Sequence, residues 1–129
     1  MTTENSTYAA GLDMRKQVLG AAHVQRSLDA ATDFSRDMQE LVTEYCWGAV
    51  WTREGLELKT RSMLNLAMLT ALNRGHELAV HVRGALTNGV TPQEIKEVLM
   101  QTAIYCGVPA ALESFRIAEA TISEVQGNA

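Results

Sequence analysis

At 129 residues, with 47% hydrophobic and 20% charged residues, the chain has the size and composition of one globular domain able to bury its own core. A formal net charge of -4 argues against nucleic acid or an anionic membrane surface as the main partner, and no apolar stretch is long enough to span a membrane. The start, Met1 to Thr7, is neither basic nor apolar, so no signal peptide is expected, and the cytoplasm is the expected location.

The first amphipathic segment runs from about Tyr8 to Leu19 and stops at Gly20, with His23 in the turn that follows. A second is expected from about Ser27 to Cys46, where Phe34, Met38, Leu41, Val42 and Tyr45 recur at helical spacing and predict a half-buried helix. From Leu56 to Leu72 almost no polar face is left, so this helix is expected to be covered on all sides by its own domain or by a neighbouring subunit. Asn88-Gly89 suits a helix C-terminus, and Thr91-Pro92-Gln93-Glu94 spells an N-cap, a first-turn proline and a capping box. Ile95, Val98, Leu99, Thr102 and Ala103 line one face of the helix it opens, which ends near Tyr105-Cys106-Gly107. Val108-Pro109 begins a last helix with an apolar stripe of Leu112, Phe115, Ile122 and Val125. No alternating strand pattern occurs, and the expectation is a single all-α domain over residues 1–129 with about six helices.

Between those signals lies Arg74 to Leu86, in which Glu77 and His81 are four apart and share a helix face, with Arg74 two turns from His81 on nearly the same face. A cation, a carboxylate and an imidazole are thus expected to converge. His76 points away from that face. The two cysteines, Cys46 and Cys106, fit neither a disulfide framework nor a paired redox motif. Cys106 reads as a small buried residue, and no His, Cys or carboxylate cluster has the spacing of a metal site.

The blocks Trp47-Gly48-Ala49-Val50-Trp51-Thr52-Arg53, Thr60-Arg61-Ser62, Glu77-Leu78-Ala79-Val80-His81, Asn88 to Ile95 and Tyr105 to Ala110 resemble the carboxymuconolactone decarboxylase family, as does Val18 to Val24. The similarity spans nearly the whole chain. The family's alkylhydroperoxidase-type members carry a Cys-x-x-Cys pair ahead of a histidine and a relay glutamate further upstream. Aligned on His81, those positions hold Arg74, Glu77 and Ser62 here. Disulfide exchange needs two neighbouring thiols, so the resemblance points to the decarboxylase branch.

That branch implies decarboxylation of a carboxylated muconolactone to an enol-lactone in aromatic-acid breakdown, without cofactor. The substrate contains its own electron sink, because the carboxylate leaves from a ring carbon conjugated with the lactone carbonyl. The protein must hold the carboxylates, stabilise negative charge on the lactone oxygen and protonate the ring carbon next to that carbonyl. In this light His81 is the candidate proton donor and Glu77 the group that orients it or raises its pKa. A histidine hydrogen-bonded in a helix interface would fit the same spacing. Arg53 and Arg61 are candidates for carboxylate binding through their two-pronged guanidinium groups. Surface exposure of Arg53, or an Arg61 ion pair with Glu57, would explain them equally. Trp47 and Ser62 complete the substrate-binding candidates, although plain core packing also accounts for a tryptophan. The family resemblance implies a small lactone carboxylate as ligand and a ring of identical subunits, a hexamer or trimer. Two other readings are a thiol-dependent peroxidase and a non-catalytic helical oligomer that binds a small acid.

Overall fold

The structure, a computed structural model, describes residues 3–127, with side chains from Ser6 onward. Among these residues there are seven α-helices, one π-helix and no strand. The chain divides into two compact units, Met1–Leu56 and Glu57–Ala129.

In the first unit α1 (Thr3–Leu19) leads through Gly20 into α2 (Ala21–Asp29), and α3 (Arg36–Leu41) continues directly into a π-helix, Val42–Val50. A bond from the Trp51 N–H to the Cys46 carbonyl, 3.0 Å and five residues back, closes that wider turn. Glycine sets how near α1 comes to the π-helix. A Cβ on Gly11 would stand 2.0 Å from the Thr43 carbonyl oxygen, and one on Gly48 would stand 2.4 Å from the Thr7 carbonyl oxygen. The two backbones therefore touch, and only hydrogen fits between them. Arg15 is buried at this seam, where its Nη1 donates to the Thr43 hydroxyl at 3.0 Å. Thr43 in turn donates to the Gln39 carbonyl at 2.8 Å. Burial pulls the Arg15 pKa below its ordinary value. Val18, Val24, Trp47 and Trp51 fill the rest of this interior.

The continuous helix expected from Ser27 to Cys46 is broken after Asp29. Thr32 and Ser35 supply the reason: the Thr32 N–H donates to the Ser35 hydroxyl at 2.9 Å, and the Ser35 N–H to the Thr32 hydroxyl at 3.3 Å. Hydroxyl side chains here take backbone donors that a helix would have used. The apolar stripe read from the sequence faces outward in the single chain, with Phe34 97% and Tyr45 62% exposed. His23 sits within α2, not in the preceding turn.

The second unit contains α4 (Leu58–Ala71), α5 (Gly75–Thr87), α6 (Pro92–Cys106) and α7 (Val108–Val125). Its core gathers Leu66 from α4, Leu78, Val82 and Ala85 from α5, Ile95 and Leu99 from α6 and Ala118 from α7, with Val90 between α5 and α6. Two helix ends reverse the chain in the same way. Asn73 takes a left-handed φ of 60°, and the Arg74 N–H reaches back to the Leu69 carbonyl at 2.9 Å. Gly89 takes φ 92°, and the Val90 N–H reaches the Ala85 carbonyl at 2.9 Å. Both are Schellman stops, the second at the expected Asn88-Gly89.

The capping box stands as read. The Glu94 N–H donates to Thr91 Oγ1 at 3.1 Å, and the Thr91 N–H donates to the Glu94 carboxylate at 2.9 Å. Lys59 adds an ion pair to Glu94 at 3.0 Å, tying the first turn of α4 to that of α6. In α7 the buried face is Ala111, Ser114, Ala118 and Thr121, whereas Leu112 and Val125 of the expected stripe are exposed. Small residues let α7 pack closely, and that closeness leaves the larger side chains at its flanks. On α4 the buried face is Ser62, Leu66 and Thr70, so Leu64, Met68 and Leu72 face outward. Cys106 is exposed, contrary to the buried position expected for it, because it closes α6 at the helix end. No helix among the described residues is long and apolar enough to cross a membrane.

Gly11→Ala should destabilise the full chain by about 1–3 kcal/mol, the usual range for overpacking. Urea unfolding followed by tryptophan fluorescence reads this directly, since Trp47 and Trp51 share that unit's interior; an unchanged midpoint would mean the backbones can separate freely. A second expectation concerns acid. Backbone hydrogen bonding from Thr91, then Lys59, holds the Glu94 carboxyl below its ordinary pKa of 4.5. A carboxyl depressed in the folded state contributes stability above its unfolded pKa and loses it as the pH falls through the folded value. Glu94→Gln should therefore lower the melting temperature at neutral pH by a margin that shrinks below pH 4.5. A margin constant across that range would remove Glu94 from the acid response.

Candidate active site

Four of the six candidate residues lie in the second unit, on two helices that pack against each other. Arg61 and Ser62 stand near the start of α4, Glu77 and His81 in the first half of α5. Ser62 is fully buried, and its hydroxyl accepts from Asn88 Nδ2 at 2.9 Å. It braces the second turn of α4 against the C-terminal end of α5.

His81 is half-buried. Its Nδ1 lies 3.3 Å from Asn65 Nδ2, across the seam from α4. Asn65 is the residue that reading the sequence passed over. Its signal was an amide inside the apolar run from Met63 to Leu72, four residues after Arg61 and so on the same face of α4 as the half-buried guanidinium. The structure thus gathers an arginine and an amide on one helix face and hydrogen-bonds that amide to an imidazole on the next helix.

Glu77, on the first turn of α5, is exposed, and the partner shown at His81 Nδ1 is Asn65. Arg74 is also exposed and precedes the helix as its N-cap, because the Schellman stop at Asn73 delays the start of α5 to Gly75. It therefore does not occupy the helical face expected to carry it with Glu77 and His81. His76 is exposed. Arg83 pairs with Glu124 of α7.

Trp47 and Arg53 belong to the first unit. Trp47 is buried and stacked on Trp51, with ring centroids 4.7 Å apart and planes 28° from parallel. Such an offset pair is a packing element in its own right. Arg53 is exposed just beyond the π-helix, with its N–H on the Val50 carbonyl at 3.0 Å.

The second unit also has a groove of about 470 Å³ between α4 and α6, lined by Met63, Leu64, Ala67, Val98 and Tyr105 among others. Another of about 330 Å³ lies between α6 and α7. Neither is lined by Arg61, Asn65 or His81. Among the described residues no three His, Cys, Asp or Glu side chains are grouped to hold a metal ion.

Within the second unit, then, an imidazole is paired with an amide across two helices, and an arginine stands one turn before that amide. Residues 36–120 match the carboxymuconolactone decarboxylase family, and the chain belongs to it. It is 44% identical over 115 residues to the nitrosuccinic acid decarboxylase of Metarhizium robertsii, covering 89% of this chain and 80% of that protein. It is 39% identical over 122 residues to the 4-carboxymuconolactone decarboxylase of Acinetobacter baylyi, covering 95% of this chain and 91% of that one. A 45-residue stretch is 42% identical to the 4-carboxymuconolactone decarboxylase of Pseudomonas putida, covering 35% of this chain and 94% of that protein. Family and relatives together make the chain a carboxy-lyase.

Proposed function

We propose that this carboxy-lyase converts 4-carboxymuconolactone to the enol-lactone of 3-oxoadipate, releasing carbon dioxide without a cofactor, in the breakdown of protocatechuate. The observation that carries the reading is the match to the Acinetobacter baylyi decarboxylase through 95% of this chain and 91% of that one. The chemistry suits the residues. Loss of the carboxylate leaves an electron pair that delocalises through the ring double bond onto the lactone oxygen. His81 is the donor that meets this anion, and Arg61 of the same unit is the cation for a carboxylate, with Arg53 kept as a carboxylate-binding candidate of the first unit. Glu77, one turn before His81, stays in the proposal as an exposed carboxylate acting on the imidazole at longer range. Ser62 acts through the Asn88 brace and Trp47 through the tryptophan stack.

A second substrate is favoured by the 44% identity to a nitrosuccinic acid decarboxylase. Nitrosuccinic acid is likewise a diacid with a built-in sink, since a nitro group takes up the electron pair as a nitronate. The test sets the two side by side. Purified protein is incubated with 4-carboxymuconolactone and separately with nitrosuccinic acid, and carbon dioxide release is followed. We expect faster turnover of the lactone; release from nitrosuccinic acid alone would transfer the assignment to that acid, and release from neither would end the proposal. His81→Ala should lower kcat on the order of 10²-fold, the scale for loss of an oriented donor, and Arg61→Ala should chiefly raise KM.

The reading extends to assembly into a ring of three or six identical chains. Its support is the exposed apolar surface of the single chain, including Leu64 and Met68 on α4, Leu72 just after it, and Ile104 and Tyr105 on α6. Light scattering on the eluted protein should return a mass of three or six chains; a monomer at micromolar concentration would contradict it.

A further inference from the structure

We propose that Asn65 is a positioning residue for His81, which fixes the ring proton of the neutral imidazole on Nε2 and so makes Nε2–H the atom that meets the substrate anion. The inference rests on the reading of His81 as the donor in the proposed decarboxylation and deepens it.

The geometry starts from the 3.3 Å approach of Asn65 Nδ2 to His81 Nδ1. An amide NH2 only donates, and an imidazole nitrogen facing it must present its lone pair. Nδ1 therefore accepts, and the proton of the neutral ring is carried by Nε2. Neighbouring groups commonly decide a histidine tautomer in this way, through the hydrogen bond made by the opposite nitrogen. Rotating the Asn65 amide by half a turn would present Oδ1 instead and place the proton on Nδ1, leaving Nε2 a bare acceptor.

Only the first arrangement serves an anion. As carbon dioxide departs, charge develops on the oxygen of the substrate's electron sink, and a bare nitrogen would repel it. A donor already aimed at that oxygen needs no reorganisation when the charge appears. Asn65 is well placed to hold such an aim, because it is anchored on a different helix. It sits on α4, half-buried, one turn after Arg61, while His81 projects from α5. The core residues Leu66, Leu78 and Val82 set the spacing of those helices. The step itself is hydrogen bonding: a neutral ring does not give up its only N–H proton to carbon, so the carbon's proton comes from solvent and the proton-donor role expected for His81 narrows to hydrogen-bond donation.

The decisive measurement is the 15N spectrum of the intact protein labelled at histidine, with the His81 signals identified by their loss in His81→Gln. The expected spectrum shows one tautomer, with the proton on Nε2. Asn65→Asp keeps the shape but offers only acceptors, and should move the proton to Nδ1. Asn65→Leu should leave a mixture. Both variants should lower kcat for 4-carboxymuconolactone roughly 10–100-fold, by analogy with the loss of a partner that orients a metal-bound histidine, with KM within about twofold. A parent protein with its proton on Nδ1 overturns the proposal. So does a tautomer that ignores Asn65→Asp, or one that follows it while kcat stays unchanged. If His81→Ala turns the lactone over at the parental rate, the assignment of His81 as donor fails instead, and the spectrum still reports whether Asn65 sets the tautomer.

Discussion

The seam between α4 and α5 is the constraint on which the second unit depends. Leu66 from one helix and Leu78, Val82 and Ala85 from the other are almost completely buried there. Each large aliphatic side chain removed from water contributes about 1.5–3 kcal/mol, so the helices are held together chiefly by that contact. Two polar bridges then cross the apolar seam, Asn88 to Ser62 and Asn65 to His81. Amide groups in such a place stabilise little on balance but cost about 1–3 kcal/mol each if left without partners. They therefore specify register: a slide of one helix along the other would separate both pairs at once. The same constraint that aligns the helices also sets the orientation of the imidazole.

The first unit solves its packing differently. Its interior holds a charged side chain, Arg15, and its tightest contact is backbone against backbone at Gly11 and Gly48. A buried guanidinium is costly unless its donors are used. The Thr43 hydroxyl uses one, and Thr43 is itself tied to the Gln39 carbonyl. The π-helix shifts the phase of side chains along Val42–Val50, so that Thr43, Trp47 and Gly48 are buried together. In a regular α-helix, residues four apart share a face and a fifth lies well round the cylinder. The wider turn brings positions 43, 47 and 48 to one side, which places the tryptophan indoors and the glycine against α1.

These differences explain what could be read from the sequence. Signals that act locally survived: the capping box at Thr91 and Glu94, the stop at Gly89 and the buried face of α6 each depend on a few neighbouring residues. Signals that assume regular geometry did not. The period that links Phe34, Met38, Leu41 and Tyr45 presumes an unbroken α-helix, and the chain has a hydroxyl-capped break before it and a π-turn within it. In α7 hydrophobicity alone points to Leu112, Phe115, Ile122 and Val125, whereas close packing selects small residues regardless of polarity, as Ser114 and Thr121 show. The site followed the same rule. His81 stood out because its side chain is unusual, but Asn65 contributes through a contact between helices, and no spacing along the chain reveals which amide will cross a seam.

The same geometry bears on what the site can discriminate. In the proposed reaction and in the decarboxylation of nitrosuccinic acid, the hardest task is shared: an electron pair must leave carbon and settle on oxygen, of a lactone in one case and a nitro group in the other. On the proposed mechanism a single oriented hydrogen-bond donor would serve both without distinguishing them. Selection must then come from groups that bind what does not react. In both acids the departing carboxylate and a carboxymethyl group stand on the same carbon, so the two differ in what carries the sink, a lactone ring in one and a nitro group in the other. A planar guanidinium fork suits the carboxylates that both acids share. On the proposed assignment the imidazole and its amide act in the common step and the arginines hold the shared carboxylates, so preference would be decided by groups that surround the sink.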